Sequence, residues 1–252
     1  FDELFEGVRA LPWEDFIPAD GAFPVKGYSL ESALHSVPDC QKIIKKAVVE
    51  SLKQRYHVTW FAETGALYQI QFSLVHDTAT LYLDTTGTPL HKRGYRKVAN
   101  LAPIRETLAA GILDIARIYP DTQLYDPFCG SGTFLIEAAY KAKNIAPGIY
   151  RRFAAEKWDS LPSKIWQTSR EEAIEKIRKD IEFTAFGSDI SQDSLEIAEA
   201  NARRAGIAGL VRLEKMNVKN FTMPDRKSLV VTNPPYGERL MNGEDLTKLY
   251  QT

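Results

Sequence analysis

The stretch VTNPPYG places an amide, two prolines and an aromatic ring directly after an apolar run. Pro234 and Pro235 cannot donate backbone hydrogen bonds, so a β-strand must end there. Their fixed φ angles make a stiff corner whose carbonyl oxygens a sheet leaves unpaired. Asn233 adds a side-chain carbonyl, and Tyr236 adds a flat ring on which a base could stack, worth about 1–3 kcal/mol. Paired acceptors beside an aromatic ring suit a planar substrate that carries an exocyclic NH₂ group.

Acceptors arranged in this way can hold both amino hydrogens and direct the nitrogen lone pair at an electrophile. No strong base is needed if the electrophile is a sulfonium methyl group, because positioning and electrostatics then supply most of the catalysis. The other interpretation is a rigid loop after a buried strand, since proline pairs are common in loops.

A second candidate site lies in LYDPFCGSGTFLIEAA, residues 124–139, which has the pattern of a strand, a tight turn and a helix. Gly130 and Gly132 allow a sharp turn and a close approach to a ligand at the carboxyl end of the strand. The stretch has neither the third glycine of a dinucleotide site nor the Gly-Lys-Ser/Thr of a P-loop. Asp126 places a carboxylate beside the turn, which suits a positively charged amine or sulfonium. An ordinary glycine-rich turn is the alternative.

Two further polar residues follow predicted strands. Asp189 ends the run FTAFGSD, where a carboxylate can accept both hydroxyls of a ribose. It could instead cap the next helix, for which Ser191 is the better candidate. Asn217 ends VRLEKMN, where its amide could face an adenine edge or could simply belong to a turn.

The elements that must position these residues follow from the hydrophobic pattern. Strands predicted at 123–128, 183–189, 211–217 and 228–233 alternate with helices predicted at 132–143, 170–182 and 191–206. This alternation predicts an α/β fold, a parallel sheet covered by helices. Residues 141–182 separate the first two strands and read as an insertion with its own helices. Trp158 and Trp166 are expected to pack this insertion onto the sheet.

The N-terminal part has a different pattern. Helices are predicted at 1–11 and 38–56, a strand at 22–28, and a hairpin from the alternating runs LYQIQFSLVHD and TATLYLDTTG. These elements predict a small α+β module. Another helix, predicted at 103–118, begins with Pro103, a residue favoured early in helices.

The composition narrows the class of protein. The net charge of −1 over 252 residues means that a surface for nucleic acid must be a local patch. The two cysteines have no metal-ligand or disulfide pattern, which indicates a reducing compartment such as the cytoplasm and no metal site. No apolar run approaches the roughly 18–20 residues that span a bilayer. Since the first residue is Phe1 and only four sheet strands are predicted before Thr252, we expect the protein to extend beyond both ends.

One local patch is basic. Residues 85–105 contain no Asp or Glu, and positive charge is concentrated there and on the lysine face of the 38–56 helix, which carries Lys42, Lys45, Lys46 and Lys53. Clustered Lys and Arg bind the phosphate backbone without regard to sequence. Solvated surface charge is the ordinary interpretation of any single lysine. We nevertheless predict that this segment contacts RNA through Lys92, Arg93, Tyr95 and Arg96.

The motifs DPFCGSGTF, GSDIS, MNV and NPPYG, in this order, resemble those of S-adenosylmethionine-dependent methyltransferases. The stretches HKRGYRKVANLAPIRETLAAGIL, IAPGIYRRFAAEKW and NPPYGERL resemble the bacterial THUMP-domain 23S rRNA guanine-N2 methyltransferases. The resemblance covers nearly the whole chain. It implies a THUMP-like RNA-binding module over 1–90, a basic linker and helix over 91–122, and a Rossmann-like methyltransferase domain over 123–252.

The resemblance also implies roles for individual residues, with S-adenosylmethionine as the cofactor and 23S rRNA as the partner. The cofactor would be bound by Pro103, Thr107, Asp126, Phe128, Cys129, Gly130, Ser131, Gly132, Asp189, Ile190, Asn217 and Val218. Within this set Asp189 would hold the ribose, Asn217 and Val218 the adenine, and the 103–107 segment would close over the cofactor. The target guanine would be gripped by Asn233, Pro234, Pro235 and Tyr236.

Two other functions stay open. The same corner could serve an adenine-N6 methyltransferase acting on DNA or RNA, since it does not separate guanine from adenine. The chain could also be a catalytically idle RNA-binding or assembly factor that has kept the fold. The pairing of Asn233 with Tyr236 argues against an idle site.

Overall fold

The computed structural model describes residues 1–97, 103–222 and 228–235. The chain forms two compact units. The first comprises Phe1–Pro89 and Arg152–Gln167, and the second comprises Leu90–Arg151 and Thr168–Thr252. The chain therefore leaves the first unit, returns to it within the insertion, and leaves it again.

The first unit is a three-stranded sheet covered by helices. Its elements are α1 (Asp2–Arg9), β1 (Val25–Leu30), α2 (Val37–Tyr56), β2 (Gln69–Val75) and β3 (Thr78–Asp84). The strand order is β1-β2-β3, with β1 parallel to β2 and β2 antiparallel to β3. The predicted α+β module and its hairpin are confirmed, and His76 and Asp77 form the hairpin turn with φ angles of 48° and 59°.

Helix α2 shows why this unit folds. Its fully buried side chains, at helical spacing, include Ile44, Ala47, Val48 and Leu52. They pack in one hydrophobic cluster with residues of the sheet, among them Ile70, Phe72 and Leu74. The lysine side of the helix is mostly engaged within the protein: Lys45 pairs with Glu63 at 2.6 Å, Lys42 with Asp39 and Lys53 with Glu50.

The second unit is a parallel sheet with helices. Its elements are α3 (Glu106–Ala116), β4 (Gln123–Asp126), α4 (Thr133–Lys143), β5 (Thr184–Asp189), α6 (Gln192–Arg204), β6 (Val211–Lys215) and β7 (Leu229–Val230). The strand order is β6-β5-β4-β7, and every pairing is parallel. The predicted α/β class is confirmed. Strands β5 and β7 flank β4, so the carboxyl ends of these three strands lie side by side.

Helix α4 is the centre of the second core, and nearly all of its residues are buried. Leu135 lies against Gly187 of β5, where a Cβ atom would stand 2.5 Å from the leucine Cδ1. This close approach seats α4 on the sheet and fixes the position of the turn that precedes it.

The insertion differs from its prediction in two respects. Helix α5 spans Ser163–Glu175 instead of 170–182. The backbone after Glu175 instead bonds to the end of α4, where Arg178 donates to the Lys143 carbonyl at 2.8 Å. Ile177 and Ile181, which lie within the range of the predicted helix, pack against the core of the second unit.

The two tryptophans of the insertion join the first unit and not the parallel sheet, so their predicted packing is wrong. Trp158 stacks on Tyr68 with ring centroids 4.8 Å apart, and its indole N–H donates to the Leu67 carbonyl at 2.9 Å. Trp166 stacks on Phe153 at 5.6 Å and packs against the same cluster. A tryptophan in the sequence predicts a buried side chain. It does not predict which of the two hydrophobic cores the side chain packs against.

Within the described ranges, no helix is long and apolar enough to cross a membrane. The same residues contain no group of three or more His, Cys, Asp or Glu side chains that could hold a metal ion.

Candidate active site

The turn after β4 depends on two glycines. Gly130 and Gly132 have φ angles of 50° and 81°, in the left-handed region that favours glycine. A Cβ on Gly132 would also lie 3.1 Å from the Cβ of Ala198 in α6. The Gly132 N–H donates to the Cys129 carbonyl at 2.8 Å, which closes the turn, and the Cys129 N–H donates to the Ser188 carbonyl at 3.0 Å. The turn is therefore bound to the end of β5.

Asp189, the last residue of β5, reinforces this arrangement. One carboxylate oxygen accepts from the Gly130 N–H at 3.1 Å and the other from the Ser191 N–H at 2.9 Å. The Ser191 hydroxyl accepts from the Ser194 N–H and caps α6, so the cap assigned to Ser191 is confirmed. Ile190 exposes 66% of its surface beside the carboxylate. The strand end thus presents a carboxylate next to an exposed apolar side chain.

The third strand end lies on the far side of β5. The Met216 N–H donates to the Asp189 carbonyl at 3.1 Å, which places Asn217 just past the end of β6. Asn217 accepts from the Lys219 N–H at 3.0 Å and is exposed, while Val218 is half-buried. The turn interpretation of Asn217 is therefore confirmed, and its contact with an adenine stays a prediction.

The Asn-Pro-Pro corner follows β7 directly. The Val231 N–H donates to the Tyr125 carbonyl at 3.0 Å, and the Thr232 hydroxyl donates to Asp126 at 2.6 Å. Asn233, Pro234 and Pro235 come next and are half-buried. The described part of the corner therefore begins beside the glycine turn, on the opposite side of β4 from Asp189. Tyr236 lies outside the described residues.

Asp126 connects these two motifs from inside the protein. Its carboxylate accepts from the Phe128 N–H at 3.2 Å and from Thr232. Burial raises its pKa to about 7, against the lowering effect of these two hydrogen bonds and with a further rise from nearby Asp189. Burial also raises the pKa of the Cys129 thiol. Asp126 thus supports the turn from within, and its direct contact with a charged ligand stays a prediction.

The segment before α3 is tied to the same region by Arg96. Its guanidinium donates to the Ile104 carbonyl at 3.2 Å and to the hydroxyl of Thr133, the first residue of α4. Its Nε also lies 3.5 Å from a carboxylate oxygen of buried Glu106. Pro103 is half-buried and Thr107 is exposed. The 103–107 segment is therefore held next to the helix that follows the glycine turn.

The structure does not support RNA contact by Arg93, Tyr95 and Arg96. The Tyr95 side chain is 3% exposed and its hydroxyl donates to Glu137 at 2.9 Å. The Arg93 side chain is 10% exposed and lies 3.4 Å from the same carboxylate. These predictions are wrong because the three side chains are buried against Glu106 and Glu137. Both acidic residues lie outside the acid-free stretch, so the stretch by itself did not indicate the pairing. Lys92 is exposed, and its contact with RNA stays a prediction.

Sequence reasoning missed two residues that shape the site. Asn201 of α6 is fully buried and donates to the Ser131 carbonyl at 3.0 Å, which fixes the glycine turn from behind. Thr232 binds Asp126 as described above. A polar residue in an otherwise apolar strand, directly before Asn233, was the available signal for Thr232.

A parallel sheet with a glycine turn after one strand, a carboxylate at the end of the next and an Asn-Pro-Pro corner on the other side defines the class of Rossmann-like methyltransferase domains. Residues 93–252 match the family described as UPF0020, RMKL-like methyltransferase domain, and residues 1–84 match the THUMP domain. The chain belongs to the UPF0020 family and carries a THUMP domain before its methyltransferase domain.

Two curated relatives align over nearly the whole chain. YpsC of Bacillus subtilis (strain 168), named provisionally as an RNA methyltransferase, is 47% identical over 100% of this chain and 66% of its own length. The ribosomal RNA large subunit methyltransferase K/L of Psychromonas ingrahamii is 37% identical over 98% of this chain and 34% of its own length. The chain thus spans less than two thirds of YpsC and about one third of the K/L enzyme.

Two solved structures share the fold closely. A Listeria monocytogenes protein, named provisionally as an N6-adenine-specific DNA methylase, is 46% identical with a TM-score of 0.91. SMU.472, a provisionally assigned methyltransferase solved in complex with S-adenosylhomocysteine, is 41% identical with a TM-score of 0.91. Each alignment covers 99% of this chain and 66% of the other.

Proposed function

We propose that this protein is an S-adenosylmethionine-dependent RNA methyltransferase that modifies the N2 amine of guanine in 23S rRNA. The observation that carries the proposal is the position of the Asn233–Pro235 corner, which starts beside the glycine turn at the carboxyl end of β4. One edge of the sheet then carries both parts of the proposed site. These are the oxygen acceptors of the corner, which suit an amine, and the glycine turn, which suits a methyl donor. The family match and the name of YpsC support methylation of RNA.

The described residues fit the proposed cofactor. The left-handed backbone at Gly130 and Gly132 keeps side chains away from the strand end, so a ligand can approach the main chain closely. The Asp189 carboxylate lies at the adjacent strand end with further acceptor capacity for ribose hydroxyls, since an ionised carboxylate accepts about four hydrogen bonds. Ile190 offers an exposed apolar surface there, and Asn217 with Val218 would contact the adenine. The complex of SMU.472 with S-adenosylhomocysteine supports the same choice.

When bound, the cofactor would supply an electrophilic methyl group on a sulfonium. The chain's own task is then to hold the amine in line with it. Asn233 and the carbonyl groups of the proline corner would accept the two amino hydrogens, and Tyr236 would stack on the base. A base inside a duplex cannot reach such a corner, so the target must be flipped out or unpaired.

The choice of RNA rests on the THUMP match over residues 1–84 and on the names of both relatives. The narrower choice of 23S rRNA and guanine N2 rests on the sequence resemblance and on the K/L enzyme alone. We place the enzyme in the cytoplasm with this substrate. Its two cysteines, both buried free thiols, agree with a reducing compartment.

Adenine N6 is the second candidate target, favoured by the name of the Listeria monocytogenes structure. Mass analysis of nucleosides, after incubation of undermethylated 23S rRNA with the protein and S-adenosylmethionine, separates the two. We expect N2-methylguanosine, and N6-methyladenosine would replace our proposal with the alternative. A catalytically idle factor would form no methylated product in this assay. Calorimetry would then show whether the protein binds S-adenosylhomocysteine at all.

Asn233→Ala tests the corner itself. We expect it to abolish most methyl transfer and to leave S-adenosylhomocysteine affinity within about twofold, because the acceptor it removes serves the substrate amine. Unchanged methyl transfer would remove the corner from the mechanism.

A further inference from the structure

Thr232 stands between the last backbone bond of β7 and the substrate corner. The residue before it, Val231, donates its N–H to the Tyr125 carbonyl in β4, and the residue after it is Asn233. The Thr232 hydroxyl reaches across to β4 and donates to an Asp126 carboxylate oxygen at 2.6 Å. The same oxygen accepts from the Phe128 N–H at 3.2 Å, inside the glycine turn. One carboxylate oxygen therefore binds the end of β7 and the start of the turn together.

The Thr232–Asp126 hydrogen bond lies beyond the point where backbone pairing between β4 and β7 ends. In the ladder between β4 and β7, Leu124 pairs with Leu229 and Tyr125 pairs with Val230. Pro234 and Pro235 have no N–H and cannot extend that ladder. A side-chain bond at Thr232 therefore acts beyond the last ladder pair and directly before the residues that would grip the substrate.

We propose that Thr232 is a positioning residue that fixes the substrate corner relative to the cofactor turn through Asp126. The inference rests on the proposed function, since it assigns the corner to the substrate and the turn to the methyl donor. In-line transfer requires the amine and the methyl group to be held within a narrow range of distance, and a displacement of about 1 Å can cost about 100-fold in rate.

The Thr232 hydroxyl matters because its partner, the Asp126 carboxyl group, is buried. Asp126 is almost fully buried, so water cannot replace a lost donor without opening the site. The titratable groups that face its carboxylate are Asp189 and the Cys129 thiol, and neither brings a positive charge. Without the Thr232 hydroxyl, the Phe128 N–H is the remaining described donor to Asp126, and the corner loses its attachment to the turn.

The test compares Thr232→Val, which keeps the shape and removes the hydroxyl, with Thr232→Ser, which keeps the hydroxyl. Thr80→Val in exposed β3 of the first unit is the matched control for the same substitution at a surface site. We expect Thr232→Val to lower kcat for methyl transfer by about 10- to 100-fold, because the buried carboxyl group loses a donor and a displacement of the corner by about 1 Å can cost about 100-fold in rate. KM for RNA should change by less than about threefold, and Thr232→Ser should recover most of kcat.

A second readout needs neither cofactor nor RNA. In the free protein, amide hydrogen exchange of the peptide containing Phe128 should become about tenfold faster in Thr232→Val and remain near the parent rate in Thr232→Ser. Wild-type protein that failed to bind S-adenosylhomocysteine would remove the proposed function. The exchange rates would still report whether Thr232 holds the turn.

Two results would overturn the inference. One is a Thr232→Val protein with parental kcat and exchange, and the other is a Thr232→Ser protein as impaired as Thr232→Val. If Thr232→Val does not fold, the comparison moves to the Asp126→Ala background. There, loss of the hydroxyl should slow methyl transfer by less than about threefold, because the oxygen that accepts from it is already gone. An undiminished effect in that background would also reject the inference.

Discussion

At the scale of single residues, the buried carboxyl group of Asp126 makes the stability of the protein depend on pH. Burial raises its pKa from 3.8 to about 7, so between these pH values the folded protein holds a proton that the unfolded chain has released. The associated stability is complete below about pH 4 and is lost as the pH rises through about 7. The second unit should therefore become less stable between pH 5 and pH 8.

Asp126→Asn should flatten this dependence. Asparagine keeps an oxygen that accepts from Thr232 and Phe128 but has no proton to lose, so the fall in the unfolding midpoint between pH 5 and pH 8 should shrink. Burial raises the pKa of Glu137 as well, so the informative quantity is the difference between parent and variant at each pH. Urea titrations at several pH values would measure it. Parallel curves for the two proteins would contradict the assignment of this proton to Asp126.

At the scale of elements, Arg96 joins α3 to α4 from within the protein. It lies 3.5 Å from Glu106, with side chains 13% and 5% exposed, and bonds to the Ile104 carbonyl. Arg96→Leu would leave the Glu106 carboxylate buried without this cation, which costs about 3 kcal/mol in comparable sites.

The matched control for Arg96 is Arg203→Leu in α6. Arg203 pairs with Glu199, but both side chains are largely exposed, at 68% and 53%, so the loss should stay below about 1 kcal/mol. Chemical denaturation would give both free energies of unfolding. Equal losses would show that the buried pair has no special weight.

How far the sequence determines these elements depends on the range of the interactions involved. The alternation of strands and helices, the glycine turn and the proline corner are local patterns, and the parallel sheet follows from them. The roles of Arg93 and Arg96 were misjudged because their partners, Glu137 and Glu106, lie outside the basic segment. The end of α5 and the core that receives Trp158 depend on contacts with distant elements, which hydrophobic periodicity does not report.

The site divides along the same line. Asp189 and the two glycines carry signals of type and spacing, and the structure brings them together by backbone bonds to the Asp189 carboxylate. Thr232 and Asn201 act through side-chain bonds to partners that lie 106 and 70 positions away in the sequence. A local pattern can mark Thr232 as a polar residue in an apolar run, but it cannot identify either partner.

At the scale of the whole molecule, the first unit needs residues from two parts of the sequence. Residues 1–89 alone lose the Trp158 ring that stacks on Tyr68 and the indole N–H that binds the Leu67 carbonyl. Removing a buried aromatic side chain costs about 3–5 kcal/mol. We expect the 1–89 fragment to be poorly folded by circular dichroism and to gain structure when a peptide of residues 152–167 is added.

The peptide with Trp158→Ala provides the control for that experiment. It should restore much less structure at the same concentration, because it lacks the ring and the indole donor. A 1–89 fragment that folds as stably by itself as with the peptide would show that the inserted segment is dispensable.

The proposed binding of RNA depends on how charge is distributed over the whole chain, since the net charge is −1 and attraction must come from local surfaces. Lys92 and Lys97 are exposed, unlike the neighbouring arginines. The double change Lys92→Glu and Lys97→Glu should weaken RNA binding and reduce the slope of log affinity against log salt by about 1–2. S-adenosylhomocysteine affinity should stay unchanged.

Lys179→Glu, at an exposed position of the insertion, is the control for this pair. Filter binding at three salt concentrations, with calorimetry alongside, would measure both properties. If the double variant loses cofactor affinity in proportion to RNA affinity, the lysines support the fold instead of binding phosphate.

The return of residues 152–167 to the first unit bears on how such proteins could be recombined. A hybrid made at a single junction near residue 90 would take Tyr68 from one parent and Trp158 from the other. The two stacked rings would then come from proteins that evolved separately. Recombined proteins should fold only if residues 1–89 and residues 152–167 come from the same parent. The sequence of the inserted segment should therefore diverge in step with the N-terminal module and not with the methyltransferase domain that surrounds it.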